Sequence, residues 1–376
     1  MNQKDIKMMT PMTLGLILVM AAAGVVVVYR LLFGLGAATH LSDIWPWGFW
    51  IGMDVLGGVA MAAGGFIIAG AVYILNWKKY KVIVRPSILN AFFGYVLAAT
   101  SITLDIGVPW RIWHPIVMWQ INSIMFIVAI HVVLYTSTLA TESSPMVFEK
   151  LKMTGAYRAV SKIMVPIVLF GVLLSTLHQS SLGAVYLIVP TKLSPLWYSK
   201  SLPYMFLISA VLMGLSMVSF ETILSSRIFK HKVPMDVITG LARGSLIVAA
   251  IYFAIKVWLL VSGPGIGAAF DGSFTANMYL LEMAIGVVLP LALLSVKDFR
   301  TRISSIFTVN ILVIIGTLLN RLNVGIFGLA EYASKFGVDY FPSAMEFILT
   351  AGMVAFAFFG FKVSAKYLNL FPETEH

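Results

Sequence analysis

The run Leu177-His178-Gln179-Ser180-Ser181-Leu182-Gly183 stands between two apolar stretches, Ile163 to Leu174 and Ala184 to Val189. An imidazole, a carboxamide and two hydroxyls there are costly unless they face protein, water or a ligand. Together they offer hydrogen bonds and, through an imidazole that titrates near neutral pH, proton transfer. The alternative for His178 is a helix-terminal histidine bonded to a carbonyl. Gln179, Ser180 and Ser181 bring more polarity than one such cap requires.

Three further segments are expected to converge with this run on one side of the protein. Trp47-Gly48-Phe49-Trp50-Ile51-Gly52-Met53-Asp54 carries Asp54 into an apolar stretch, Asp105-Ile106-Gly107-Val108-Pro109-Trp110-Arg111 closes the next, and Pro195-Leu196-Trp197-Tyr198 follows the histidine run. Asp105 and Arg111 can pair, which is how buried charges normally survive. Tyr95, His131, Glu221 and Glu282 fall at other depths. As a set they suggest a proton or ion route; singly, each suits a polar contact between helices. Lys256 and Arg30 are expected to snorkel toward the nearer interface.

Metal and haem chemistry find little support. The chain has no Cys, which excludes disulfides, thiolate-bound zinc and an iron–sulfur cluster held by this chain alone. A bis-histidine haem needs facing histidines from two helices. His131 and His178 are the intramembrane candidates and are expected at different depths; His40, His114, His231 and His376 fall in loops, span ends or the terminus.

The elements that must position these residues are membrane spans. The chain of 376 residues is 60% hydrophobic and only 11% charged, with a mean hydropathy of +0.93. Ordinary soluble domains carry about 25% charge. A span needs ~20 mostly apolar residues, which gives ten: 12–33, 48–75, 87–106, 116–139, 160–178, 202–224, 241–262, 275–296, 303–320 and 343–364. Prolines, among them Pro86, Pro115 and Pro203, mark the connections. Lys4 and Lys7 precede the first apolar stretch without a small-residue cleavage site, so a retained anchor is expected. The expected division is a first helix and loop (1–47), a four-helix bundle (48–195), a second four-helix bundle (196–325) and a last helix with its tail (326–376).

Charge fixes the expected orientation. Of the 26 Lys and Arg residues, 19 fall on the side of the termini and 7 on the other. The positive-inside rule then places both termini in the cytoplasm. The +10 formal charge is thus a matter of topology and no sign of nucleic-acid binding. Eight of the nine Trp residues fall on the outer side, Trp77 being the exception. That bias suits a docking face or a flat apolar ligand, or else an interfacial belt that is thick on one side.

The stretches PWGFWIGMD, VRPSILNAFFGYVL, LDIGVPWRIWHP, LSTLHQSSLGAVYL, KLSPLWYS, GLSMVSFE, NRLNV and YFPSAMEF together resemble the polysulfide/nitrite reductase membrane-subunit superfamily (NrfD-like). The similarity covers about residues 34 to 364 and is strongest to the ten-helix branch, which includes the membrane subunit of periplasmic nickel–iron hydrogenase-2. The resemblance implies an all-α fold of two four-helix bundles plus flanking helices. It also implies a quinone site near the periplasmic face, beside an iron–sulfur (ferredoxin-like) subunit of a hydrogenase, molybdoenzyme or multihaem cytochrome complex in the bacterial inner membrane. The chain itself would hold neither haem nor iron–sulfur cluster. By motif match, Tyr95, His178 and Glu221 fall at polar positions tied to quinone or proton chemistry.

The resulting expectation is a menaquinone or ubiquinone site with His178 as donor and Gln179, Asp54, Tyr95, Asp105, Arg111 and Trp197 around it. His131, Glu221 and Glu282 would carry protons. One departure is Ile127, where hydrogenase-type relatives often carry glutamate; His131 lies one turn further on. A secondary transporter or proton channel without redox chemistry, or a passive membrane anchor, are the alternative functions.

Overall fold

The computed structural model describes residues 6–371, a segment that spares only the two chain ends, so Lys4 and His376 lie outside it. Among the described residues, ten helices are long and apolar enough to cross a membrane. They are α1 (Pro11–Phe33), α2 (Trp50–Tyr73), α3 (Lys78–Asp105), α4 (Ile124–Lys150), α5 (Met164–Ile188), α6 (Leu202–Phe229), α7 (Met235–Ser262), α8 (Phe274–Ser295), α9 (Ile303–Ser334) and α10 (Ala344–Tyr367). Helices α2–α5 form one four-helix bundle and α6–α9 a second, while α1 and α10 pack on each other alongside α3. Ile6 and Phe371 join one apolar cluster with Phe229 at the end of α6, so both described ends share one face. We call it the terminal face, and the other the opposite face.

Small residues let the bundles close. Gly64 of α2 stands against Gly214 of α6, where a Cβ on Gly214 would lie 2.7 Å from the Gly64 nitrogen. Gly65 meets Ala91 of α3 in the same way. Without a hydrophobic driving force in lipid, such close backbone approach supplies the dispersion contact that holds helices together. Two spans are not uniformly α-helical. Trp50–Gly57 at the start of α2 and Ala284–Val288 within α8 are π-helical, the wider winding that accommodates an extra residue per turn.

Among the spans that differ from the sequence expectation, three do so for clear local reasons. Helix α3 begins ahead of Pro86, which sits inside the helix, with the Ser87 hydroxyl donating to the Ile83 carbonyl at 2.7 Å. Helix α4 begins eight residues later than expected, because the aromatic stretch 112–121 stays as loop and one short turn, His114–Val117. It then runs on through a hydroxyl-rich segment. Ser137, Thr138, Thr141, Ser143 and Ser144 each donate to a carbonyl three or four residues back, which satisfies their polarity within the helix. Helix α5 runs ten residues past His178, so the histidine lies well inside the span rather than at its close.

The long basic side chains do not snorkel. Arg30 is 2% exposed and donates to the Leu104 carbonyl at 2.6 Å and the Ile106 carbonyl at 2.5 Å. Those carbonyls lie at the end of α3, where the helix leaves them unpaired. Lys256 is equally enclosed, held by an acid of the neighbouring helix.

Candidate functional site

The sequence-selected residues separate into three groups. The first lies in the bundle α2–α5. Tyr95, His131, Tyr135 and His178 form an aromatic cluster, with ring centroids 4.6 Å apart for Tyr95 and Tyr135, 5.6 Å for Tyr95 and His178, and 6.0 Å for His131 and His178. The two histidines therefore share a depth, contrary to expectation. Helix α5 rises from the terminal face while α4 descends toward it, and the extended α5 lifts His178 to His131. Ser181 lies within 3.5 Å of the His131 Nδ1. Gln179 is tied off, its Nε2 donating to the Val59 carbonyl of α2 at 2.8 Å.

This group is rich in unsatisfied polar atoms. Both His178 ring nitrogens, the Tyr95 and Tyr135 hydroxyls, the Ser175 hydroxyl and Glu142 Oε2 are inaccessible and make no hydrogen bond to another described residue. Ser175 stands beside both phenols. Buried polar groups are normally paired, so this cluster stands as a candidate site. Glu142 escaped the sequence reading because α4 was placed too early, leaving it in a loop. Gly171 of α5 makes room for it: a Cβ there would lie 2.7 Å from Glu142 Oε1.

The second group lines a cavity of about 680 Å³ between α2, α3, α6 and α10. Asp54 stands in its wall at one depth, with Thr350. The Thr350 hydroxyl donates to Asp54 Oδ2 at 2.8 Å and Ser101 does so at 3.4 Å, leaving Oδ1 without a hydrogen bond. Glu221 and Asn90 lie deeper toward the terminal face. Both Glu221 carboxylate oxygens are inaccessible and make no formed hydrogen bond, with the Asn90 amide as polar neighbour. Met53, Met61, Phe220, Met353 and Phe358 supply apolar wall. From Thr350 to Lys362 the cavity follows α10 for twelve residues, about 18 Å of helix. Asp54 and His178 thus do not share one site. The tightly packed α2–α3 pair, with Gly94 against Ala62, stands between the cavity and the aromatic cluster.

The third group is in the second bundle. Glu282 accepts from Lys256 and Asn320 on Oε1 and from Trp197 and Asn323 on Oε2, all at 2.8 Å. Trp197 therefore braces Glu282 instead of joining His178. Beside them Arg321, fully buried, donates to Asn320 Oδ1, the Phe206 carbonyl and Ser209, and lies over the Phe206 ring. The run Asn320-Arg321-Leu322-Asn323, polar within an apolar helix, is the signal that could have found it.

One expected contact is absent among the described residues. Asp105 and Arg111 form no ion pair, because Arg111 is exposed on the loop beyond α3. The cation whose charge acts on Asp105 is Arg30. Trp110, Trp113 and Trp119 are exposed on the same connection, whereas Trp45, Trp50 and Trp197 are core residues.

Ten spans and two bundles with acids buried among them define a polytopic integral membrane protein. Residues 38–332 match the family model described as "Polysulphide reductase, NrfD", and the chain belongs to that family. It is 31% identical, over 92% of this chain and 88% of the relative, to an Escherichia coli K12 protein named "Probable Ni/Fe-hydrogenase 2 b-type cytochrome subunit". It is 27% identical, over 96% and 92%, to the "Menaquinone reductase, integral membrane subunit" of Nitratidesulfovibrio vulgaris. A second protein of that organism, whose name states no activity, is 37% identical over 96% and 95%.

Proposed function

We propose that this chain is the quinone-reactive membrane subunit of a respiratory oxidoreductase in a bacterial inner membrane. It exchanges electrons between an iron–sulfur partner docked on the opposite, periplasmic face and a menaquinone-type ligand. The observation that carries this reading is the cavity. Quinone reduction takes two electrons and two protons, so its site needs an apolar enclosure and a proton donor. The cavity joins methionine and phenylalanine walls to Asp54, a carboxyl held on one oxygen by Thr350 and Ser101 and open on the other. Glu221, deeper in the same cavity, would connect Asp54 to the terminal face, here the cytoplasmic one.

His178 takes a different part in this reading. It is enclosed outside the cavity, so the His178–Tyr95–Ser175 cluster holds or passes protons without touching the quinone ring. Among the described residues, the cavity has no histidine in its wall, and the His131–His178 pair is packed with Tyr95 instead of facing that space. In this reading neither histidine serves as a ligand to a b-type haem.

The test is quinone-linked turnover of the intact complex. Asp54→Asn is expected to lower it by about 10²-fold or more, the scale of a lost general acid, while assembly and extracted subunits stay unchanged. Full activity in that variant would sink the assignment. A passive anchor would instead lose assembly, and a transporter would move its substrate as the isolated chain.

A further inference from the structure

The far end of the cavity carries a feature that a quinone does not explain. Lys7, Lys230 and Lys362 line its mouth at the terminal face, together with Thr10. They come from three separate segments: the stretch before α1, the cap of α6 and the last turns of α10. Lys362 is tethered, donating to Thr13 at 2.6 Å and Thr10 at 3.3 Å. Lys230 holds a left-handed backbone, φ 55°, which a non-glycine residue adopts at a cost. No carboxylate forms an ion pair with any of the three among the described residues. A neutral isoprenoid quinone makes no use of such a basic rim.

Behind the rim the wall turns apolar at once, with Met12, Leu224, Ile228, Phe229, Ala357 and Phe361. A cationic mouth at the headgroup level over a long apolar slot between helices is complementary to one class of molecule. We propose that this mouth binds an anionic phospholipid, its phosphate held by Lys7, Lys230 and Lys362 and one acyl chain lying between α6 and α10. The lipid closes the terminal-face end of the cavity, and the rest of the cavity, up to Asp54, stays open to its other ligand. The inference does not rest on the quinone reading, since it uses none of Asp54, Asn90 or Glu221.

The experiment uses the purified full-length chain, with any subunits that accompany it, in phosphatidylcholine nanodiscs carrying a small fraction of photoactivatable phosphatidylglycerol. Crosslinks are expected on α6 and α10 peptides. Lys7→Gln, Lys230→Gln and Lys362→Gln should each weaken labelling roughly fivefold, in line with the contribution of a single juxtamembrane lysine. A control triple, Lys78→Gln/Lys79→Gln/Lys152→Gln, removes the same charge from the same face outside the cavity and should leave labelling intact. Equal loss in the control, or equal labelling by a phosphatidylcholine probe, would overturn the proposal. Lys230 is exposed at a helix end, so its single variant is readable even if Lys362→Gln disturbs the α1–α10 contact. Displacement of the lipid probe by added menaquinone would make the mouth a quinone-tail site and equally overturn it. Asp54→Asn should leave labelling unchanged, which separates failure here from failure of the quinone assignment.

Discussion

The Lys256 ammonium and the Glu282 carboxylate meet at 2.8 Å between α7 and α8, each less than a tenth exposed. Glu282 also receives Asn320, Asn323 and Trp197, so four donors satisfy one carboxylate. Such full satisfaction is the condition under which a buried ion pair holds its place. Removing one partner strands the other. Lys256→Met is expected to destabilise the protein by about 3–5 kcal/mol. The double variant Lys256→Met/Glu282→Gln, which removes both members of the pair, should recover much of that loss. Thermal unfolding in detergent measures both; a double variant no better than the single would show that the pair is not the unit.

Helix crossings built on glycine make a second prediction. A Cβ on Gly316 of α9 would lie 1.9 Å from the Gly286 Cα of α8, with backbone on both sides and no flexible side chain to yield. Overpacking in a core typically costs about 1–3 kcal/mol, and backbone contact puts Gly316→Ala at or beyond the upper end. Gly15→Ala, with nothing within 4 Å, is the matched control and should melt like the unmodified protein. Equal melting of both variants would mean that the crossing is looser than described.

Alkaline pH supplies a third. The Tyr340 hydroxyl donates to Glu346 and accepts from the Phe49 amide at 2.7 Å. Burial, then the Glu346 contact, pushes this phenol above its ordinary value. A raised pKa means that the folded state binds the proton more tightly, so the stabilisation is complete below the unfolded phenol value of about 10. It is lost as pH rises beyond that value. Melting temperature should fall above about pH 10 more steeply in the unmodified protein than in Tyr340→Phe. Parallel profiles would remove Tyr340 as the cause.

Glu221 supplies a fourth, resting on the proposed quinone chemistry. In liposomes with menaquinone, Glu221→Gln should slow proton uptake from the terminal face while leaving quinone binding intact. Unchanged uptake would break the route from that face to Asp54.

Much of this architecture is legible in the sequence because hydrocarbon demands ~20 apolar residues per crossing. The paired ends of the chain follow from an even number of such segments. The stretches PWGFWIGMD and YFPSAMEF were legible as motifs, and the structure shows them clasping each other: Glu346 receives Ser343 and Phe49 backbone amides, while Trp50 donates to its carbonyl. The site was less legible. Helix α2 is apolar on nearly every side, so periodicity does not say which face Asp54 occupies, and the sequence reading joined it to His178. Glu142 was hidden by a run of hydroxyls that looks like a loop but is satisfied within its helix. Lys256 and Arg30 looked like interface residues because their partners, Glu282 and the open end of α3, lie 26 and 74 residues away.

The π-helical winding at Trp50–Gly57 has a consequence for how the cavity acquired its acid. Asp54 lies inside that segment. Wound as a regular α-helix, the same residues would turn everything before the segment by roughly 100° more around the axis. The carboxylate would then keep its facing only if the Trp50 and Glu346 clasp let go. A single inserted residue thus works as a phase shift: it lets one helix answer to two partners, the clasp above and the cavity beside it, that a regular helix would have set out of step.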